Sequence, residues 1–360
     1  MPILNRSKLR PEVLKLIDES QKIQLQGALE FLKLEENKNV NLQAYLQKVT
    51  KGNEKFFQML SNNEENMEAL SDILTNEDIQ FITKFLRFLT EYTANVNLEQ
   101  HPIPENVKIE EIVVDGVPAE WQVIPEAKDD RVLLYFHGGG MIVMSPKTHR
   151  LLTIEIAKLT KMRVLSVDYR RAPEHPHPAA LEDCVKAYHW LLSKGFKPKN
   201  IIIAGDSAGG NLTLTTLIKL RDEGSPLPAG AVVLAPHTDH TRESKTIYEN
   251  AETDPILGDI GVFWWSPAFL AGADPTDPLV SPVFADLSDL PPILIQVSTS
   301  EMLYDNSTRL IERAKAAGVD ATLQEWKDTV HVFQGFGLHS LPEAREAINK
   351  IGEFIQSLFD

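Results

Sequence analysis

The segment NIIIAGDSAGGN, residues 200–211, joins a short apolar run to a helical pattern through a tight turn centred on Ser207. The run NIIIAG has the β-branched residues of a buried strand, and the apolar spacing that follows is typical of a helix. Gly205 and Gly209 lack Cβ atoms, so strand and helix can close around the serine and leave its hydroxyl exposed. This G-x-S-x-G pattern at a strand-to-helix turn indicates a nucleophilic serine, and a plain βα loop is the alternative.

Short β-branched runs alternate with helical stretches from about residue 107 onward. Eight runs are predicted strands: VKIEEIVV, EWQVIPE, RVLLYFH, RVLSVDY, NIIIAG, GAVVLAP, PILIQVS and ATLQEW. Most of them are apolar on both faces, as the strands of a buried parallel sheet are. Helices are predicted at 148–161, 179–194, 209–222, 304–317 and 342–358. The predicted fold class is therefore α/β, with a mostly parallel eight-stranded sheet flanked by helices.

Two further segments stand outside this alternation. Residues 1–100 hold only two of the 22 prolines and two of the 19 glycines, and their apolar positions recur at intervals of three and four. We therefore expect a helical N-terminal extension over 1–100, followed by an α/β domain over 101–360. The second segment, at about 237–288, separates the sixth and seventh predicted strands and is too long for an ordinary crossover. Long ordered insertions of this kind are usually lids or binding loops.

Charge and composition exclude several classes of function. The 360 residues contain 36 Lys and Arg against 51 Asp and Glu, a formal net charge of −15. Because this charge repels phosphate backbones and anionic lipid, we expect neither a nucleic-acid partner nor a membrane-surface partner. Charges interrupt every apolar stretch of the opening MPILNRSKLRPEVLKLIDES and of the chain as a whole, so neither an export signal nor a transmembrane span is expected. The single cysteine, Cys184, cannot form an internal disulfide, and a cytoplasmic location is the expectation.

Three consecutive glycines follow the predicted strand RVLLYFH, in the segment HGGG at 137–140. Packing explains such a run poorly, because each glycine raises the conformational entropy of the unfolded chain. Backbone N–H groups without side chains are what an acyl-transfer site needs to bind a tetrahedral oxyanion. A phosphate-binding loop is the competing interpretation, but the patterns G-x-x-x-x-G-K-[ST] and G-x-G-x-x-G are both missing here.

A serine nucleophile at such a turn needs a base, and in this arrangement the chain order is serine, acid, histidine. Of the ten histidines, only His331 and His339 lie beyond the last predicted strands. His331 follows ATLQEW by a short loop, where a base would lie over the serine, whereas His339 comes a helical stretch later. His331 is therefore the predicted base.

The acid should lie on the loop after the strand PILIQVS, which offers Glu301 and Asp305. Glu301 stands at the end of the strand, and Asp305 is predicted to lie within the following helix. We favour Glu301, because a glutamate can hold the imidazole tautomer and stabilise its positive charge as an aspartate does. Asp305 remains the alternative, in which case Glu301 is only a helix N-terminal acid.

Metal or cofactor chemistry is not predicted. The pairs His175 with His177 and His237 with His240 have the residue type of metal ligands. No fixed set of carboxylates or cysteines accompanies them. No cofactor-binding motif is present either.

Five segments carry a resemblance to a known family. They are HGGG (137–140), DYRRAPEHPHPAALED (168–183), GDSAGGN (205–211), SEMLYD (300–305) and HVF (331–333). In this order they resemble the hormone-sensitive-lipase-like family of α/β-hydrolases, and bacterial carboxylesterases in particular. The resemblance covers about 107–360. It implies the α/β-hydrolase fold, with a mainly helical cap built from the N-terminus and from the insertion after the sixth strand.

The resemblance also implies roles for individual residues. Ser207 would be the nucleophile and His331 the base, and the family's acid loop, often D-P-L-R-D, aligns its aspartate with Glu301. The oxyanion donors would be the backbone N–H groups of Ala208 and of two glycines among Gly138, Gly139 and Gly140. The insertion would place three aromatic residues near the acyl or alcohol pocket: Trp264, Trp265 and Phe269. Five residues would support the site without catalysing: Tyr169, Arg170, Pro173, Glu174 and Asp206.

The expected function is that of a carboxylesterase, which hydrolyses short- to medium-chain esters with water as second substrate through an acyl-enzyme. An aryl amidase or deacetylase is the alternative from the same chemistry, because one triad serves both leaving groups. A non-catalytic ligand-binding protein on the same scaffold is the alternative from another class. Because relatives often pair through the edge of the sheet, the resemblance also implies a homodimer.

Overall fold

A mixed eight-stranded sheet forms the centre of the computed structural model, which describes residues 4–61, 73–241, 243–258 and 262–359. The strands are β1 (Lys108–Val114), β2 (Val117–Val123), β3 (Lys128–Phe136), β4 (Met162–Val167), β5 (Ile201–Asp206), β6 (Gly230–Leu234), β7 (Ile293–Ser298) and β8 (Ala321–Trp326). They lie in the order β1-β2-β4-β3-β5-β6-β7-β8. Only β2 runs antiparallel to its neighbours, and the other pairs are parallel. The predicted α/β class and its mostly parallel sheet are confirmed.

Helices cover both faces of this sheet. In the described ranges they are α1 (Pro11–Lys33), α2 (Leu42–Ser61), α3 (Asn76–Gln100), α4 (Pro146–Thr160), α5 (Ala179–Ser193), α6 (Ala208–Asp222), α7 (Thr246–Glu249), α8 (Val262–Leu270), α9 (Tyr304–Ala316), α10 (Phe333–Phe336) and α11 (Pro342–Ser357). Every residue of β5, β6 and β7 is buried. Because successive side chains of a strand point to opposite faces, Ile201 and Ile203 pack in one apolar cluster and Ile202 packs in another. The continuous apolar strands thus contribute side chains to two hydrophobic clusters, one on each face of the sheet.

Within 4–61 and 73–100, the described part of the first hundred residues, lie three long helices. Gly27 lets α1 approach α3 closely, because a Cβ at this position would lie 2.9 Å from Cδ1 of Tyr92. A reciprocal capping box between Thr75 and Asp78 starts α3. Helix α2 contacts α7 and α8, the two helices of the segment between β6 and β7. The N-terminal helices therefore contact the insertion as well as one another.

Candidate active site

Ser207 occupies a strained turn between β5 and α6. Its backbone has φ 52° and ψ −115°, a conformation that residues with a side chain seldom adopt. A Cβ on Gly205 would lie 2.3 Å from the carbonyl oxygen of Gly209, and a Cβ on Gly209 would lie 1.9 Å from that of Phe136. Both glycines of the motif are thus required by close backbone approach. The turn leaves Ser207 partly exposed among buried neighbours.

Backbone hydrogen bonds fix this turn to strand β6 and to the residues that follow it. The N–H of Ser207 donates to the carbonyl of Leu234 at 2.7 Å, and its own carbonyl accepts from the N–H of His237 at 3.1 Å. The carbonyl of Ser207 also accepts from the N–H of Asn211, in the first turn of α6. The serine is therefore held by elements on both sides. A strained backbone conformation of this kind persists only where the surrounding structure holds it in place, as these hydrogen bonds do here.

Glu301 and His331 form a buried pair at the ends of β7 and β8. Nδ1 of His331 lies 2.8 Å from Oε1 of Glu301, and the two residues are 3% and 1% exposed. Oε2 of Glu301 accepts from the N–H of Ser298 at 3.0 Å. Burial lowers the pKa of His331, but the charge and hydrogen bond of Glu301 outweigh it and raise that pKa above its ordinary value. This is the geometry in which a carboxylate orients an imidazole and stabilises its protonated form.

Asp305 lies elsewhere. Its Oδ2 accepts from the backbone N–H of Lys245 at 2.8 Å and from that of Thr246 at 3.3 Å. It therefore fastens the start of α9 to the insertion. The structure brings Glu301, and not Asp305, into contact with His331.

The sheet brings the serine to the same edge as this pair. Strands β5, β6, β7 and β8 are neighbours in that order and run parallel, so their carboxyl ends lie along one edge. Ser207 follows β5, Glu301 follows β7 and His331 follows β8. The carboxylate of Asp206, next to the serine, contributes to the raised pKa of His331, as a charge near the imidazole does. Ligands of open α/β sheets bind at this edge.

The glycine loop, residues 137–144, follows β3 and lies beside the serine turn. The N–H of Gly138 donates to Oδ1 of Asp206 at 3.1 Å. A Cβ on Gly138 would lie 2.2 Å from Oδ2 of that carboxylate, so only glycine fits here. The amide of Gly138 is thus already bonded, which leaves two of the three predicted glycines as candidate oxyanion donors. Gly139 and Gly140 are the two that remain.

Gly139 and Gly140 both have positive φ, 103° and 63°. The carbonyl of Gly139 accepts from the N–H groups of Ile142 and Val143 at 3.0 and 2.9 Å, which closes the loop into a turn. A Cβ on Gly140 would lie 2.0 Å from Cε3 of Trp265. The insertion therefore places one predicted pocket residue directly against the glycine loop.

The other two predicted pocket residues are almost fully buried. Trp264 and Phe269 are each 3% exposed and belong to the apolar cluster on one face of the sheet. The ring of Phe269 lies 5.0 Å from that of His240, which in turn lies 4.1 Å from that of His237, the residue bonded to the serine carbonyl. Phe269 thus packs against His240, and His240 packs against His237, which is bonded to the serine turn. Trp264 contacts Trp265 edge to face, at 5.9 Å between ring centroids.

Asp206 joins a buried network that the sequence analysis did not assign. Its Oδ1 lies 3.1 Å from Nε2 of His149 and accepts from the hydroxyl of Tyr135 at 2.8 Å. Burial lowers the pKa of His149, but the charge of Asp206 outweighs it and raises that pKa. Burial likewise raises the pKa of Asp206, and the positive charge and hydrogen bond of His149 outweigh it and lower that pKa. Asp206 is therefore stabilised as a carboxylate at the position where it accepts from the N–H of Gly138.

Tyr169 supports the same loop from the segment after β4. Its hydroxyl donates to the carbonyl of His137 at 2.6 Å, and its ring stacks on that of His137 with centroids 4.2 Å apart. Nδ1 of His137 donates to the carbonyl of Gly138 at 2.7 Å, and burial lowers the pKa of His137 well below its ordinary value. His137 is thus a neutral structural residue of the loop.

The insertion also holds the loop that carries Glu301. Nδ2 of Asn250 donates to the carbonyl of Glu301 at 2.9 Å, and Oδ2 of Asp254 accepts from the N–H of Met302 at 2.8 Å. No motif marks Asn250 or Asp254, because an amide and a carboxylate that bind backbone atoms of another segment leave no pattern in the sequence. In the part of the chain that the structure describes, no three His, Cys, Asp or Glu side chains are grouped to hold a metal ion.

None of the helices in the described ranges combines the length and the apolar character that crossing a bilayer requires.

Comparisons with known proteins agree with this geometry. Residues 133–335 match a family described as having the alpha/beta hydrolase fold. An acetyl-hydrolase of Streptomyces hygroscopicus is 40% identical over 247 residues, which cover 68% of this chain and 82% of that protein. An esterase of Acinetobacter venetianus is 37% identical over 258 residues, 71% of this chain and 84% of that protein.

Comparison with solved structures also finds an esterase. The crystal structure of an esterase from the bacterial hormone-sensitive lipase family superposes with a TM-score of 0.73 at 44% identity, covering 77% of this chain and 92% of that one. The family match over residues 133–335 includes the glycine loop, Ser207, Glu301 and His331. The chain therefore belongs to the hormone-sensitive-lipase-like family of α/β-hydrolases.

Proposed function

We propose that this protein is a carboxylesterase that hydrolyses short- to medium-chain esters through Ser207, His331 and Glu301. The observation that carries the proposal is the buried Glu301–His331 pair, 2.8 Å apart, on the sheet edge where Ser207 lies on its strained turn. Relatives of 40% and 37% identity are named acetyl-hydrolase and esterase, which supports ester hydrolysis as the reaction class.

In the first half of the reaction, Oγ of Ser207 attacks the ester carbonyl carbon and Nε2 of His331 takes its proton. The carbonyl oxygen becomes an oxyanion, and the N–H groups of Ala208, Gly139 and Gly140 stabilise it. Ala208 is the first residue of α6, so the N-terminal end of the helix dipole adds to this stabilisation. The intermediate then expels the alcohol, which receives its proton from His331, and an acyl-enzyme remains.

In the second half, water replaces the alcohol. His331 takes a proton from water, the resulting hydroxide attacks the acyl carbon, and the carboxylic acid leaves as Ser207 recovers its proton. Glu301 stays ionised throughout and stabilises the imidazolium that forms in each half.

The cap is the second part of the proposal. Helices α1, α2 and α3 together with the insertion at 237–288 would form the mainly helical cap over the sheet edge, and 101–360 would form the catalytic domain. The contacts of α2 with α7 and α8 support this division, as does the position of Trp265 against Gly140. The ring of Trp265 against Gly140 supports a short acyl chain, because it occupies space beside the glycine loop that a long chain would need.

A series of p-nitrophenyl esters tests the proposed substrate class. We expect kcat/KM to be largest for the acetate or butyrate, lower for the octanoate and negligible for the palmitate. p-Nitroacetanilide, which has the acyl group of the acetate on an amide, should be hydrolysed far more slowly than p-nitrophenyl acetate. Faster hydrolysis of the anilide would favour the aryl amidase alternative, and a maximum at palmitate would contradict the proposed chain length.

A further inference from the structure

The side chain of Arg87 on α3 joins the N-terminal extension to the glycine loop. Nε of Arg87 donates to the carbonyl of Ile142 at 2.7 Å. One terminal nitrogen donates to the carbonyl of Ala172 at 2.9 Å, and both terminal nitrogens bind the carboxylate of Glu174 at 2.8 Å. The guanidinium therefore joins the extension to the glycine loop and to the segment after β4.

One of these contacts satisfies a buried carbonyl of the loop. The carbonyl of Gly139 is bonded within the loop, and that of Met141 accepts from the N–H of Ala172 at 2.8 Å. Ile142 is fully buried, and its carbonyl is the one that Arg87 satisfies from outside. A buried carbonyl that loses its donor is costly, so the loop would shift to recover a partner.

The conformation of the loop matters because Gly139 and Gly140, the proposed oxyanion donors, lie two or three residues before Ile142. Ile142 and Val143 donate to the carbonyl of Gly139, so a displacement of Ile142 is transmitted to the peptide units of both glycines. Oxyanion donors work only where they are preorganised, and a displacement of ~1 Å can cost ~100-fold in rate.

We propose that Arg87 is a positioning residue through which the N-terminal extension holds the oxyanion-binding loop in its catalytic conformation. The planar fork of arginine is required, because two backbone carbonyls and one carboxylate lie around the same group. Glu91, one turn further along α3, adds a second contact, since it accepts from the hydroxyl of Ser145 at the end of the loop. The extension thus acts on the active site by holding the glycine loop in place. Only the expected effect on catalysis rests on the proposed function, whereas the effect of Arg87 on the conformation of the loop does not.

The chain offers a matched control in Arg10. Arg10 makes the other two-pronged ion pair between the extension and the α/β domain, with Glu343 of α11 at 2.6 and 2.8 Å. Its side chain is 26% exposed, against 27% for Arg87. Arg10→Ala therefore removes a comparable bond of the extension without touching the glycine loop.

The experiment compares the full-length wild type, Arg87→Ala and Arg10→Ala by hydrogen–deuterium exchange of peptides spanning 137–145, and by hydrolysis of p-nitrophenyl butyrate. For Arg87→Ala we expect exchange of this segment to be about tenfold faster. We also expect kcat to fall about tenfold to a hundredfold, with KM changed by less than about twofold, because the donors act on the transition state. Arg10→Ala should match the wild type in all three quantities.

Equal exchange of this segment in Arg87→Ala and Arg10→Ala would overturn the proposal, whatever the activities. If the wild type does not hydrolyse esters, the proposed function fails, and exchange still decides whether Arg87 fixes the loop. If Arg87→Ala does not fold, Arg87→Lys takes its place in the experiment, because one ammonium group cannot reach all three acceptors of Arg87. Wild-type exchange and wild-type kcat in Arg87→Lys would overturn the requirement for the fork.

Discussion

The carboxylate of Asp206 binds His149 at 3.1 Å directly beneath the glycine loop, one residue before the serine. This pair is buried, and the same carboxylate also accepts from the N–H of Gly138 and from the hydroxyl of Tyr135. The site therefore contains two buried carboxylate–histidine pairs with different tasks. In the proposed mechanism Glu301 orients His331, which transfers the protons, whereas Asp206 and His149 bind the backbone of the glycine loop and of the residue after it.

Replacement of Asp206 by asparagine should weaken this network, because the neutral amide lacks the charge that holds His149 and leaves a buried group poorly bonded. We expect the free energy of unfolding to fall by about 1–3 kcal/mol, and kcat to fall with it as Gly138 loosens. Urea denaturation measures the first effect and ester hydrolysis the second. Asp274→Asn is the control, since Asp274 is exposed and its carboxylate accepts from the N–H and the hydroxyl of Thr276, two residues away. Equal unfolding free energies for the two variants would refute the structural role of Asp206.

Glu301 and Asp305 can be separated by a pair of isosteric substitutions. Glu301→Gln should lower kcat by about 10⁴, because the imidazole loses the group that fixes its tautomer and stabilises its charge. Asp305→Asn should lower kcat far less, since Asp305 binds the backbone of the insertion and does not contact His331. Steady-state kinetics on p-nitrophenyl butyrate gives both values. The opposite ranking would assign the acid to Asp305.

The pH profile of kcat/KM should have an acidic limb set by His331, which must be neutral to accept the serine proton. Because Glu301 raises the pKa of His331, the imidazole stays protonated to a higher pH, and the midpoint of the limb should lie above the ordinary histidine value. In Glu301→Gln the largest of the charges that raise this pKa is lost, the smaller contributions of Asp254 and Asp206 remain, and burial still lowers the pKa. The limb should therefore shift to lower pH in the residual activity of that variant. An unchanged midpoint would show that Glu301 does not act on His331.

Gly140→Ala tests the contact between the glycine loop and the insertion. The added methyl would meet the ring of Trp265, and φ of 63° adds backbone strain of about 1–2 kcal/mol. We expect a large loss of kcat, partly restored in the double variant Gly140→Ala, Trp265→Ala, where the clash is gone. Gly224→Ala is the matched control, because Gly224 has φ 68° and open space around its Cα. If Gly224→Ala lowers kcat as much as Gly140→Ala does, the contact with Trp265 has no catalytic role.

Much of the fold could be predicted because local patterns determine it. The predicted helix at 179–194 is found at Ala179–Ser193, and that at 342–358 is found at Pro342–Ser357, since the apolar period lies within the segments themselves. The helix predicted at 148–161 begins earlier, at Pro146, because Ser145 and Thr148 form a capping box. The proximity of Glu301 to His331 followed from the parallel order of the strands.

Other parts of the site could not be predicted, because they depend on contacts between distant segments. His149 and Asp206 are 57 positions apart and share no periodic signal, and Arg87 and Ile142 are 55 apart. The bond of Gly138 to Asp206 was missed for another reason. The direction of a backbone N–H depends on the dihedral angles of the loop, and three identical glycines carry no information about it.

Hydrolysis of p-nitrophenyl butyrate by Ser207→Ala, relative to the wild type, tests the central claim most directly. The account predicts that the variant loses at least ~10⁴-fold in kcat while remaining folded, because no other group on this turn can form the acyl-enzyme. Equal rates for the two proteins would contradict the claim that Ser207 is the nucleophile.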